Sequence, residues 1–426
     1  LAPLPGTDGL LLLALVHVLF DEDLVAPDLG GIAEHVTGVE TVRALAADFP
    51  PEAVADSCGV AAQDIRQLAR DIAAAPSAAV YGRIGTSTVE FGTLGSWLVD
   101  VVNVLTGNLD RPGGVMFPLG PTAPAPRPPR PGRGFGTGRW HSRVSGYPEA
   151  AGEFPTAALA EEIDTPGEGQ IRAMITCAGN PVSSIPQNGR LDHAMGSLDL
   201  YVAVDMYITE TTRHADFILP PVSPLEREDV GLLLPIFGVR NNIRYQHRTF
   251  EPPAGAKEDW EILSRLTFEL LPGPIRRVVT PLRDRVIGAA SPLRLAAAAV
   301  LTGPYGLIRK GRNGITIRGL RESKGGLDLG PLQPRLSKII ATADRKVQLA
   351  PAEFVTAARA QLDNNVEPLV GEYDLQLIGR RHLRSNNSWL HNSHRLVKGP
   401  PRCTLLIHPD DAARRGITAA QRVRVR

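Results

Sequence analysis

Apolar positions along the chain fall into two kinds of run. Long ones recur at helical spacing, and short ones stop abruptly in small polar residues. The most apolar long run, residues 10–20, predicts a helix opened by Gly6, Thr7 and Asp8, an ordinary N-cap signal. Among the short runs, 171–176 predicts a strand that breaks at Gly179, Asn180 and Pro181, with Ser183 and Ser184 placed to start the next helix. A second, 198–204, ends at Asp205 and is followed by Thr209, Glu210, Thr211 and Thr212 before another predicted strand at 217–219. In an open parallel α/β sheet, ligands lie outside the carboxyl ends of the strands, where both polar groups fall. Backbone N–H groups at a helix start suit phosphate. A carboxylate at a strand end suits paired donors, such as ribose hydroxyls or the N1–H and exocyclic amine of guanine.

The same patterning divides the chain. Residues 1–117 alternate helical stretches with short strands such as 78–81, giving one α/β unit. Residues 118–138, PLGPTAPAPRPPRPGRGFGTG, exclude regular structure, so 118–162 is expected to be a linker. Its arginines, Arg127, Arg130, Arg133, Arg139 and Arg143, read as a mobile basic loop able to dock an acidic partner. A second α/β unit covers 163–350. It includes a basic, proline-interrupted region, 272–330, with an alanine-rich helix at 293–301 and no assignable place in a sheet. The stretch 371–426 is strand-rich.

Composition narrows the function classes. With 46 basic residues against 45 acidic ones, net charge is +1, which gives no bulk pull toward nucleic acid or a membrane surface. The 3 cysteines, Cys58, Cys177 and Cys403, form neither a disulfide framework nor a CxxC pair for zinc or an iron–sulfur cluster. The run 10–20 is about half of the ~20 residues that span a bilayer, and nothing else approaches a membrane span.

Four segments, in one order, resemble the molybdopterin oxidoreductases, the dimethyl sulfoxide reductase superfamily that includes formate dehydrogenase and nitrate reductase. They are LPGTDGLLLLALVHVLFDEDLV near the start, YGRIGTSTVEFGTLGSWLVDVVNVLTGNLDRPGGVMFP, then GNPVSS with LDLYVAVDMYITETTRHADFILP, and late in the chain LIGRRHLRSNNSWLHN. The resemblance implies two Rossmann-like α/β cofactor-binding domains followed by the start of a C-terminal β-barrel domain. It also implies a molybdenum-bis(pyranopterin guanine dinucleotide) cofactor. Because the chain opens at Leu1, already within a motif, and stops in QRVRVR, it is expected to be a fragment. The family's 4Fe–4S cysteines and molybdenum ligand are then expected in a missing N-terminal part, as would be any export signal. A cytoplasmic location is the expectation.

The resemblance also supplies the candidate contacts. Gly6, Thr7 and Asp8, then Asn180, Asp205 and Asp259, match nucleotide contacts, although Asn180 could merely hold a turn, and Asp205 and Asp259 could merely cap helices. Ile84 and Thr88 fall at the pterin-side loop, Thr88 where the family often has glutamine. Gly379, Arg380, Arg384, Asn386, Asn387 and Ser388, with Arg381, His382 and His391 around them, form a donor-rich loop suited to a pterin or polyphosphate. Arg227 lies where some relatives carry lysine; by itself it is a solvated loop charge. His408 in HPDDAARRGI is expected to be structural, no residue is assigned to the metal, and the catalytic residue is unknown. The expected function is a two-electron redox reaction on a small substrate such as formate or nitrate, with an electron-transfer subunit or redox protein as a possible partner. The alternative is a metal-free structural electron-transfer subunit of the same fold.

Overall fold

Helix α1 (Asp8–Asp21) is apolar nearly all round, so it can be stable only when surrounded. It is the centre of the first core, packed by α2 (Val39–Ala46), α3 (Pro51–Cys58), α4 (Ala62–Ala74) and α5 (Gly92–Leu105). Its one interior polar side chain, His17, is satisfied by the Ala46 carbonyl at 2.9 Å. The computed structural model describes residues 1–123, 137–363, 375–385, 389–400 and 402–425. It is a mixed helix and sheet protein that clusters into two compact units, Leu1–Gly379 and Arg380–Arg426.

In the first 117 residues the expected α/β alternation is replaced by helices. At the predicted strand 78–81, no strand among the described residues pairs with the chain; two asparagine side chains take its backbone groups instead. The sheet content here is Val36–Thr37, which pairs in parallel with Val347–Gln348. That pairing, with Leu336, Leu349 and Ala358 in the first core, returns residues 336–358 to a unit that the sequence closes at 117. Trp97 clinches the return by donating its indole N–H to the Leu349 carbonyl at 2.8 Å.

The second core holds the predicted strand–turn–helix–strand order. Strands β1 (Ala173–Cys177), β2 (Leu200–Val204) and β3 (Phe217–Ile218) form a parallel sheet, with Ala173 opposite Leu200 and Cys177 opposite Val204. Helix α6 (Leu159–Asp164) and helix α7 (Asn188–Met195) bury Ile163, Leu191 and Met195 with Tyr201 and Ala203 of β2. The Tyr201 hydroxyl is satisfied by Thr176 at 2.8 Å.

A third cluster places the region that the sequence left unassigned. Strand β4 (Asp229–Val230) pairs antiparallel with β6 (Tyr245–Gln246), and β5 (Arg240–Ile243) pairs antiparallel with β7 (Leu327–Pro331). Helix α8 (Asp259–Glu269) precedes this region's helices, and α9 (Pro292–Thr302), the predicted alanine-rich helix, closes the cluster through Ala296 and Val300. Among the described residues no single helix is long and apolar enough to cross a membrane. One pair, Gly273–Ala289 and Pro292–Thr302, bent by 51°, reaches that length and composition together.

The linker expectation also changes. Within 118–162, Thr137–His141 and Pro148–Ala150 pair as an antiparallel ribbon, and α6 begins. Arg139 is ion-paired to Glu149, whose side chain is fully buried, and Arg143 is paired to Glu162, so neither belongs to a mobile basic loop. Arg127, Arg130 and Arg133 lie outside the described residues. In the unit Arg380–Arg426, helices Trp389–Asn392, His394–Val397 and Pro409–Arg414 are formed, and no strand occurs among the described residues. Among the described residues of 375–425 the expected barrel strands are therefore not formed as a ladder.

Candidate functional site

The carboxyl ends of β1 and β2 bring two polar groups together, as the parallel sheet requires. After β1 the chain passes through Asn180 into the single turn Pro181–Ser184. Asn180 Nδ2 donates to Glu210 Oε2 at 2.8 Å, and its Oδ1 accepts from the Thr211 hydroxyl at 2.7 Å. Thr211 is fully buried, and its Oγ1 also accepts the Val182 N–H at 3.0 Å. Asn180 is thus more than a turn former: both ends of its carboxamide are fixed by residues that follow β2. The Asn180 hydrogen bond, foremost, holds Glu210 below the usual carboxylate range, so its oxygen is an ionised anchor.

Asp205 closes a local turn by accepting the Tyr207 N–H on Oδ1 at 3.0 Å. Its Oδ2 makes no hydrogen bond among the described residues. Asp259 sits at the first position of α8, but it does not cap the helix. Glu258 is the cap, in a reciprocal capping box with Glu261, which releases Asp259 from that role. Arg227 occupies Asp259 instead, one nitrogen reaching Oδ1 at 2.9 Å and Oδ2 at 3.1 Å. Arg227 is therefore a partner of the site rather than a solvated loop charge. Cys177, at the end of β1, ties these groups into one neighbourhood. Burial raises its thiol pKa first, the Asp259 and Asp205 charges add to that, and Arg227 opposes them. A thiol so raised is neutral, not an activated nucleophile. Beside the Arg227–Asp259 pair lies a cleft of about 600 Å³ lined also by Glu226, Arg248, Glu258 and Trp260.

The other candidates lie apart in the bonding pattern. Gly6 adopts φ 87°, a left-handed conformation that favours glycine, and turns the chain into α1. Thr7 is the buried residue before the helix, yet its hydroxyl donates back to the Leu4 carbonyl at 2.6 Å and makes no cap; Asp8 stands in the first turn. Ile84 and Thr88 share the turn Ile84–Ser87 and its end, with the Thr88 hydroxyl on the Ile84 carbonyl at 3.1 Å. No hydrogen bond or ion pair among the described residues links either group to the sheet edge. Gly379 and Arg380 are exposed. The Arg384 N–H donates to His382 Nδ1 at 3.1 Å, and Ser385 bonds His391 at 3.1 Å. Asn386, Asn387 and Ser388 lie outside the described residues. His408 caps helix Pro409–Arg414 by accepting the Asp410 N–H at 3.3 Å.

Glu210 and Thr211 are the site residues that motif reading passed over. Both lie in the TETT run after Asp205, and their sequence signal is only that a polar run follows a strand end. The site offers hydrogen-bond acceptors on two carboxylates, one with an unbonded oxygen and one held by arginine, and an oriented carboxamide with both a donor and an acceptor end.

Residues 1–268 match the molybdopterin oxidoreductase family, and residues 375–426 match the molydopterin dinucleotide binding domain. Formate dehydrogenase H of Escherichia coli is 26% identical over 289 residues, covering 62% of this chain and 38% of that protein. The assimilatory nitrate reductase catalytic subunit of Bacillus subtilis is 25% identical over 290 residues, covering 62% and 38%. The chain thus spans well under half the length of these curated relatives. Acetylene hydratase from Pelobacter acetylenicus has the same fold, with a TM-score of 0.71 at 17% identity over 98% of this chain and 59% of that one. The dinucleotide-binding match indicates a molybdenum-bis(pyranopterin guanine dinucleotide) cofactor. The chain belongs to the molybdopterin oxidoreductase family, within the dimethyl sulfoxide reductase superfamily.

Proposed function

We propose that this chain is the cofactor-holding part of a molybdenum-dependent oxidoreductase acting on a small substrate such as formate or nitrate. The observation that carries the reading is the open Oδ2 of Asp205 at the strand edge, in one electrostatic neighbourhood with Asp259 and Arg227. Bound there, the cofactor would supply the two-electron chemistry, and the protein binds and orients it. Asp205 accepts paired donors of the guanine or ribose. Asn180, pinned by Glu210 and Thr211, keeps its second Nδ2 hydrogen for a phosphate or ribose oxygen. Asp259 retains lone pairs beyond those facing Arg227, which also offsets the charge of an acid-rich cleft.

In this reading Gly6, Thr7 and Asp8 hold nucleotide at the start of α1, and Ile84 and Thr88 meet a pterin. Gly379, Arg380, Arg384, Asn386, Asn387 and Ser388 supply hydrogen-bond donors for a pterin or its phosphates. The architecture is two cofactor-binding halves, the second built on the β1–β3 parallel sheet and the first, mainly helical, completed by the return of 336–358. Formate and nitrate are supported by the formate dehydrogenase and nitrate reductase relatives, and an electron-transfer subunit or redox protein takes the other half of the reaction. The 4Fe–4S cluster belongs outside these residues, whose 3 cysteines are dispersed.

Purification from a host that makes the molybdenum cofactor, followed by joint assay of molybdenum and released guanine nucleotide, tests this. One metal with two nucleotides per chain is expected. Folded protein with neither would replace the reading with a metal-free structural subunit.

A further inference from the structure

Two buried carboxamides sit at and just beyond the end of α5. Asn103 is 1% exposed and Asn108 is 2% exposed. Asn103 Oδ1 accepts the Val80 N–H at 2.9 Å, while its Nδ2 donates to the Val80 carbonyl at 2.8 Å and to the Val99 carbonyl of its own helix at 2.9 Å. One side chain thereby makes both bonds that a paired residue on a neighbouring strand would make to Val80. Asn108 Oδ1 accepts the next available amide, Ala78 N–H, at 3.0 Å. Asn108 is itself immobilised. Its backbone N–H bonds the Asn103 carbonyl at 2.8 Å, its carbonyl accepts Val115 N–H at 2.9 Å, and a Cβ at Gly114 would come within 2.1 Å of that carbonyl. The GNLDRPGG turn is thus the clamp on Asn108.

The segment so held runs directly into the glycine-rich loop 82–92. We infer that Asn103 is a positioning residue for that loop, with Asn108 fixing the peptide two residues earlier. Together they set where Ile84 and Thr88 are presented to the pterin. The inference rests on the proposed function for its cofactor half. Its structural half follows from accounting: a segment without a strand partner must find other partners for its inward backbone groups, and a buried carboxamide is stable only when its own groups are satisfied. A side chain serving α5 alone would need only the Val99 bond; two of the Asn103 bonds leave the helix.

Hydrogen exchange and cofactor content of the protein, made in a host that supplies molybdenum cofactor, are compared with those of Asn103→Leu, which keeps the branched shape and lacks the polar groups. Exchange across 78–92 should rise about tenfold, the scale of one net hydrogen bond, with α1 and α4 unchanged. Bound molybdenum and guanine nucleotide should fall together. Asn103→Asp retains the acceptor for Val80 N–H and should lie between the two; it carries the comparison if the leucine variant does not accumulate. Unchanged exchange in 78–92 would overturn the positioning role. Fast exchange with full cofactor content would overturn its cofactor half and leave the proposed function standing. A native protein with neither metal nor nucleotide would overturn the proposed function and that cofactor half together, while the exchange comparison would still decide the structural half.

Discussion

Arg227 spans both carboxylate oxygens of Asp259 through a single nitrogen, at 2.9 and 3.1 Å, across 32 residues of sequence. The pair is about one third exposed, so by itself it contributes only about 0–1 kcal/mol to stability. Its weight falls on ligand binding. Asp259→Asn should leave the melting temperature nearly unchanged, because Glu258 and Glu261 cap α8 without it, while lowering bound guanine nucleotide per chain. Calorimetry and nucleotide release measure the two effects separately; a large loss of stability with full nucleotide would assign Asp259 to the fold instead.

Thr211 is the hub of the sheet edge. Its buried hydroxyl serves the Val182 N–H and the Asn180 carboxamide at once. Thr211→Val keeps the shape and removes both bonds, leaving a buried N–H without a partner, and should cost about 1–3 kcal/mol in urea unfolding. Thr211→Ser restores the hydroxyl and should recover most of that loss. Equal stability of the valine and serine variants would show that the hydroxyl bears no weight.

Much of this edge was legible because it is local. The predicted strands at 171–176, 198–204 and 217–219 became β1, β2 and β3, and the polar residues after them lie at the carboxyl edge. What stayed hidden depends on distant partners. Residues 78–81 read as a strand because their local pattern is that of one, but pairing is decided by what lies alongside, here Asn103 and Asn108. The return of 336–358 to the first core depends on contacts such as Trp97 with Leu349, separated by 252 residues. The capping role at α8 fell one residue earlier than expected, since Asp and Glu are both able to cap and only geometry chooses between them.

Glu149 gives the chain a pH signature. Foremost the hydrogen bond from Arg139, then the amide of Gly152, hold its carboxyl down to about 2. A carboxylate with a lowered folded value contributes stability that is fully present above its unfolded value and lost as pH falls through the folded value. Acid unfolding should therefore steepen between the ordinary carboxylate range and about pH 2. Glu149→Gln should remove that part of the slope without altering stability's dependence on pH near neutrality. An unchanged acid slope in the variant would assign the titration to other carboxylates.

Gly92 allows the second closure of the loop 82–92. A Cβ built there would lie 2.4 Å from the Ser87 carbonyl oxygen, 2.6 Å from its carbon and 2.8 Å from its Cα, all backbone atoms that no rotamer change can move. Gly92→Ala must therefore lift the turn Ile84–Ser87 off the start of α5, at about 1–3 kcal/mol for the forced backbone shift. Because that turn carries Ile84, the displacement should reduce bound molybdenum more than it reduces the melting temperature of the cofactor-free protein. Gly95→Ala is the matched control on the same helix face: its Cβ would meet the Thr86 carbonyl at 3.4 Å, an ordinary contact, and cofactor content should hold. Equal cofactor content in the two variants would mean that the close approach at Gly92 serves packing alone.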